Sequence, residues 1–189
     1  MNQPNAIVVG SLSAMAKAGN LSLAETFLSC DALILVDVSG SMAADDARNG
    51  KSRYDVALEE LAALQATMPG KLAIIGFSDK AEFCPGGVPV FMGAGTDLAG
   101  ALRFAQVADV GGMRFVVISD GAPDDGDAAL RVASTYKGRI DTVFCGPEDD
   151  REGGRVFLNK LATAHGGQSM TVAKALNLAA NVVQLLEAK

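Results

Sequence analysis

Apolar residues follow two rhythms that alternate along the chain. "ALILVDV" (32–38), "KLAIIGF" (71–77), "MRFVVIS" (113–119) and "RIDTVFC" (139–145) are short, nearly continuous apolar runs, the pattern of strands covered on both faces. Between them the period lengthens to that of a helix. In "KSRYDVALEELAALQATM" (51–68), Tyr54, Leu58, Leu61, Leu64 and Met68 fall on one stripe. Ser52 with Asp55 forms a capping box at its start, and Gly70 follows its end. The same spacing predicts helices over 96–108, 126–137, 154–165 and 171–188, with Gly138 and Gly166-Gly167 stopping two of them. "AEFCPGGVPVF" (81–91) reads as a short, proline-broken strand, which places it at a sheet edge, and 168–170 as a brief last strand. Such alternation predicts an α/β fold, a parallel sheet with helices on both faces.

Residues 1–30 stand outside this alternation and read as an N-terminal extension to a main domain at 31–189. "AIVVGSL" (6–12) suits a strand and "SLAETFL" (22–28) a helical turn or two. A docked arm, an extra edge element and a loose terminus all remain open.

Composition narrows the class. With 189 residues, 49% of them hydrophobic and 20% charged, the chain is expected to be one globular domain with a sizeable core. No apolar run approaches the roughly 18 residues needed to cross a bilayer, and the N-terminus lacks the basic start and apolar stretch of a signal peptide; neither a membrane nor secretion is expected. The net charge is -6 and the 16 basic residues are scattered, which argues against nucleic acid as a partner. Cys30, Cys84 and Cys145 are odd in number and form no CxxC pair, so they read as buried, reduced thiols and favour a cytoplasmic location.

The chemistry gathers where strands end. "ILVDVSGSM" (34–42) closes a core strand with Asp37, Ser39 and Ser41. Residues spaced by two in extended backbone project alike, and Gly40 is expected to relieve crowding in a tight turn. "VVISDG" brings Ser119 and Asp120 to a second strand end, and "GAGTDL" opens a helix with Thr96, itself a good N-cap. Open parallel sheets bind ligands at these ends. Two carboxylates held together repel each other and raise each other's pKa, a penalty that a divalent cation removes. A donor set made only of oxygens favours a hard ion, Mg²⁺, Mn²⁺ or Ca²⁺, over zinc or copper. The acidic residues that follow (Asp124, Asp125 and Asp127, then Glu148, Asp149 and Asp150) read by default as solvated loops.

Other chemistries fit less well. "GKS" (50–52) lacks the upstream glycine of a phosphate loop and reads as a helix start, and "GAGTDL" has Leu98 where a dinucleotide fingerprint needs glycine. The single histidine, His165, sits at a helix end as a last-turn cation with no serine evidently available for a triad. A metal-assisted hydrolase of phosphates or esters stays open as an alternative, as does a structural subunit whose metal only braces the fold.

At these residues the sequence resembles the von Willebrand factor type A (VWA) domain family with its metal-ion-dependent adhesion site (MIDAS). The motif DxSxS is matched by Asp37, Ser39 and Ser41, the distal threonine by Thr96 and the distal aspartate by Asp120. "IIGFSDKAEF" (74–83) also resembles a family segment, and the likeness spans about 31–187. It implies a Rossmann-like three-layer sandwich, mostly parallel with one short antiparallel edge strand. It further implies a Mg²⁺ held by Ser39, Ser41 and Thr96, with Asp37 and Asp120 bonding to those hydroxyls, to waters or to the ion. A partner protein's acidic side chain would complete the coordination. The function so implied is protein binding, not catalysis, with a ring-forming ATPase or an assembly machine as the candidate partner class.

Overall fold

The computed structural model describes residues 6–147, 149, 153–171 and 178–187. Six strands form one sheet in the order β3-β2-β1-β4-β5-β6. They are β1 (Ala32–Asp37), β2 (Leu72–Phe77), β3 (Ala81–Phe83), β4 (Arg114–Ser119), β5 (Ile140–Phe144) and β6 (Ser169–Thr171). All pairings are parallel except β2 with β3, where Ile75 faces Phe83 and Phe77 faces Ala81. The three-layer α/β architecture expected from the sequence is therefore present, with its antiparallel edge strand.

Seven α-helices accompany the sheet among the described residues: α1 (Leu12–Gly19), α2 (Leu23–Phe27), α3 (Arg53–Thr67), α4 (Leu98–Ala105), α5 (Gly126–Ala133), α6 (Gly154–Ala164) and α7 (Leu178–Glu187). Alternate residues of each central strand feed two separate cores, as a strand covered on both faces must. Leu33 and Leu35 of β1 join Leu98, Leu102, Leu158 and Leu161 on one side. Ile34 and Val36 join Val56, Leu61, Leu64, Val182 and Leu185 on the other.

Helix ends depart from the periodicity where side chains take over backbone bonds. α5 stops at Ala133 because Ser134 and Thr135 turn their hydroxyls onto the carbonyls of Arg131 and Val132, the local competition that makes such residues poor in helix interiors. His165 caps α6, but burial lowers its pKa. That shift disfavours the last-turn cation that its position suggested. Of the expected helix over 171–188, Thr171 ends β6 and 178–187 form α7, while 172–177 and 188 lie outside the described residues.

The strand expected over 6–12 does not form. Val8 donates a single bond to the Gly86 carbonyl, after which the chain turns at Gly10 and Ser11 caps α1. Gly10 has φ +82°, and a Cβ there would lie 1.9 Å from the Gln65 carbonyl oxygen. Gly10 also accepts from the Gly70 amide, and Ser13 donates to Pro85. Residues 6–19 are thus a docked arm, tied to the end of α3 and to the loop after β3.

Candidate metal centre at the strand ends

β1 delivers Asp37 to its C-terminal end, fully buried. Asp37 Oδ1 accepts from the Ser39 amide at 2.9 Å, and Oδ2 from the Ser119 hydroxyl at 2.6 Å. Burial pushes its pKa up to about 6, against the pull of the hydrogen bonds from Ser119 and Ser39, and the Asp120 charge raises it further. This is the cost of a carboxylate taken out of water.

Beyond Ser39 the extended path ends, and Gly40–Ala43 form a 3₁₀ turn with Met42 buried beneath it. The serines therefore meet through the turn, not by strand alternation, with their hydroxyl oxygens 3.2 Å apart. The expected special role of Gly40 is not needed: a Cβ there would meet the Ala94 carbonyl at an ordinary 3.5 Å. What Gly40 contributes is its amide, which donates to that carbonyl at 3.1 Å and ties the Ser39–Ser41 loop to the loop carrying Thr96.

Asp120 follows β4 and binds with both oxygens. Oδ1 accepts from the Ser41 hydroxyl at 2.7 Å, and Oδ2 from Arg53 Nη1 at 2.7 Å. Arg53 is the first residue of α3 and is nearly buried; it also grips Asp46 with Nε and Nη2, both at 2.9 Å. Its ion pairs with Asp46 and Asp120 raise its pKa, so a fixed positive charge sits beside the candidate ligands. Nothing in the sequence pattern marked Arg53 for this place. It lies one position before the apolar stripe of a helix, where arginine is ordinarily solvated.

Thr96 is half-buried on the neighbouring loop. Its amide donates to Asp124 Oδ2 at 2.8 Å, and the Asp124 amide returns a bond to the Thr96 carbonyl at 3.1 Å. The adjacent Gly95 amide donates to Asp79 Oδ1 at 2.8 Å. Two carboxylates thus clasp consecutive amides, and Gly95 makes this possible, because a Cβ there would lie 2.5 Å from Asp124 and 2.7 Å from Asp79. Asp124 is exposed, as the default reading of that loop had it, yet it is engaged. The N-cap of α4 is Asp97, which accepts from the Gly100 amide at 2.8 Å. Thr96 is not the cap, and no hydrogen bond among the described residues commits its hydroxyl.

Asp37, Ser39, Ser41 and Asp120 are therefore brought together by the fold, and Thr96 is held on the adjoining loop. Among the described residues no group of three or more histidine, cysteine, aspartate or glutamate side chains is placed to hold an ion. The donors here are two carboxylates and three hydroxyls. That set fits a hard divalent cation: the buried Asp37 carboxylate calls for positive charge, and hydroxyl oxygens suit Mg²⁺ or Mn²⁺ rather than a soft metal.

A groove of about 600 Å³ opens at Ala43, lined by Asp45, Ser52 and Asp55 and by Tyr54, Val90 and Phe91. The Tyr54 and Phe91 rings meet edge to face at 5.3 Å, and the Tyr54 hydroxyl donates to the Pro89 carbonyl at 2.8 Å. Ser52 accepts from the Asp55 amide as cap of α3, so "GKS" is a helix start.

No family model and no curated relative matches the sequence, but solved structures do. An aerotolerance-related membrane protein from Bacteroides fragilis, carrying multiple serine substitutions, aligns with a TM-score of 0.63 and 18% identity over 83% of this chain and 98% of that one. A von Willebrand factor type A protein from Catenulispora acidiphila gives 0.56 and 17%, over 82% of this chain and 41% of the other. The manganese-loaded TRAP protein of Plasmodium vivax gives 0.56 and 15%, over 84% and 72%. This chain has a VWA-like fold. At these identities the likeness concerns the path of the backbone alone. No helix among the described residues is long and apolar enough to cross a membrane.

Proposed function

We propose that the chain is a divalent-cation-dependent protein-binding module acting in the cytoplasm. Ser39, Ser41 and Thr96 would hold a Mg²⁺ (or Mn²⁺ or Ca²⁺), with Asp37 and Asp120 bonding to those hydroxyls, to waters or to the ion. The observation that carries this reading is the convergence of two buried carboxylates and paired serine hydroxyls at the C-terminal edge of the sheet, with 2.6 to 3.2 Å between bonded oxygens. A manganese-loaded protein among the structures of the same fold supports it.

When bound, the ion would supply a Lewis-acidic position. The protein's own residues do the remaining work. Ser119 and the Ser39 amide orient Asp37, Asp124 and Asp79 set the Thr96 loop, and the groove walled by Tyr54 and Phe91 adds apolar surface flanked by Asp45 and Asp55. A partner that presents one acidic side chain to the ion, with apolar and basic residues around it, fits this arrangement. A ring-forming ATPase or an assembly machine is the partner class we propose.

The test is capture from the native cell by wild-type and Asp37→Ala baits in Mg²⁺ and in EDTA. A partner retained only by wild type in Mg²⁺ supports the reading. Equal capture by both baits removes it. Turnover of chromogenic phosphates or esters that is abolished by Asp37→Ala would replace it with a hydrolase.

A further inference from the structure

We infer that Arg53 is a built-in competitor of the metal ion: its guanidinium shares Asp120 with the bound cation and sets how tightly that cation is held. The inference rests on the ion-binding reading above and goes beyond it to the control of affinity.

The position of Arg53 is costly by ordinary rules. A positive charge in the first turn of a helix opposes the helix dipole, and a guanidinium whose side chain is only 10% exposed has lost most of its water. Ser52 caps α3, and the Asp55 side chain binds the Ser52 hydroxyl at 2.7 Å, so Arg53 adds nothing to the helix start. Its donors go instead to Asp46, bidentate, and to Asp120. Asp46 is itself 36% exposed and anchors the fork from the outside. The guanidinium is thereby aimed at Asp120 Oδ2, while Oδ1 of the same carboxylate takes the Ser41 hydroxyl.

Two consequences follow. Without an ion, Asp120 already has a countercharge, so the Ser41–Asp120 half of the site is assembled in advance. With an ion, Asp120 would be shared between that ion and the fixed positive charge on its Oδ2. At an effective dielectric near 20, repulsion between the two amounts to an affinity change of roughly tenfold or more. An arginine cannot relieve it by deprotonating.

The prediction is an ordered series of Mn²⁺ affinities, read from the electron paramagnetic resonance signal of free Mn²⁺ with the purified full chain. Arg53→Gln keeps a hydrogen-bond donor near Asp120 but removes the charge, and should bind roughly tenfold tighter or more than wild type. Arg53→Lys should stay near wild type. Arg53→Met removes the charge and keeps the apolar stem, and should likewise bind more tightly than wild type. Equal or weaker binding by a folded Arg53→Gln or Arg53→Met protein overturns the inference. If Arg53→Gln fails to fold, the comparison of Arg53→Met with wild type decides alone. Absence of Mn²⁺ binding by wild type and every variant at millimolar ion sinks the ion site itself, and this inference with it.

Discussion

Ser119 donates its hydroxyl proton to Oδ2 of Asp37 across 2.6 Å, joining the ends of β4 and β1. The bond orients a fully buried carboxylate, and Ser119 stood in the sequence only as the residue before Asp120. Removing it leaves a buried acceptor short of a donor, which costs about 1–3 kcal/mol. Ser119→Ala should lower the stability of the ion-free protein by that amount, measured by urea denaturation in EDTA. A midpoint unchanged from wild type would show that the bond contributes nothing.

Ion binding should appear as thermal stabilisation. An ion that binds only the folded state adds about 2.7 kcal/mol at a hundredfold excess over Kd, a rise on the order of several degrees for a domain of this size. Wild type should melt several degrees higher in millimolar Mg²⁺ than in EDTA. Asp120→Asn keeps the shape of the side chain but not its charge, and should melt alike in both.

The clasp on the Thr96 loop should matter to the ion without touching it. Asp124→Ala removes the acceptor of the Thr96 amide. Loss of a partner that orients a ligand typically weakens metal affinity by about 10–100-fold. A Mn²⁺ titration of Asp124→Ala should show a loss in that range, with the fold unchanged by circular dichroism. Wild-type affinity would mean that Thr96 is positioned by other means.

Docking of the N-terminal arm hinges on Gly10. Alanine there meets both a positive φ and a carbonyl oxygen at 1.9 Å. Gly10→Ala should cost more than about 1 kcal/mol and release α1, seen as faster hydrogen exchange over 12–19 than in wild type. Unchanged exchange would mean that the arm is held elsewhere.

The three thiols should be slow to react. Burial raises Cys30 to about 11, with Asp31 adding to the effect, and raises Cys84 and, most strongly, Cys145. A thiol shifted from 9 to about 11 carries roughly a hundredfold less thiolate at pH 8. Alkylation of Cys30 should be slower in the folded protein than in denaturant by about that factor. The sign for stability follows: the unfolded thiol ionises first, so the fold loses stability as the pH climbs from 9 towards 11.

Some of this architecture was legible in the chain alone. Continuous apolar runs located β1, β2, β4 and β5 to within a residue or two, because a strand covered on both faces must be apolar at every position. The repeated strand-helix unit then required parallel pairing and put Asp37 and Asp120 at the same edge of the sheet. The motif at 37–41 stood out because Thr96 and Asp120 accompany it at other strand ends, in the order of a known family pattern.

What the sequence could not disclose depends on atoms far apart along it. Arg53 reaches Asp120 across 67 positions and Ser119 reaches Asp37 across 82, and no local pattern encodes either pair. Asp97 displaced Thr96 as the cap of α4 because its side chain reaches the Gly100 amide. Residues 6–12 have the composition of a strand, yet no sheet edge accepts them once the chain turns at Gly10. Local periodicity fixes which faces are apolar; only the folded chain decides which charges those faces bring together.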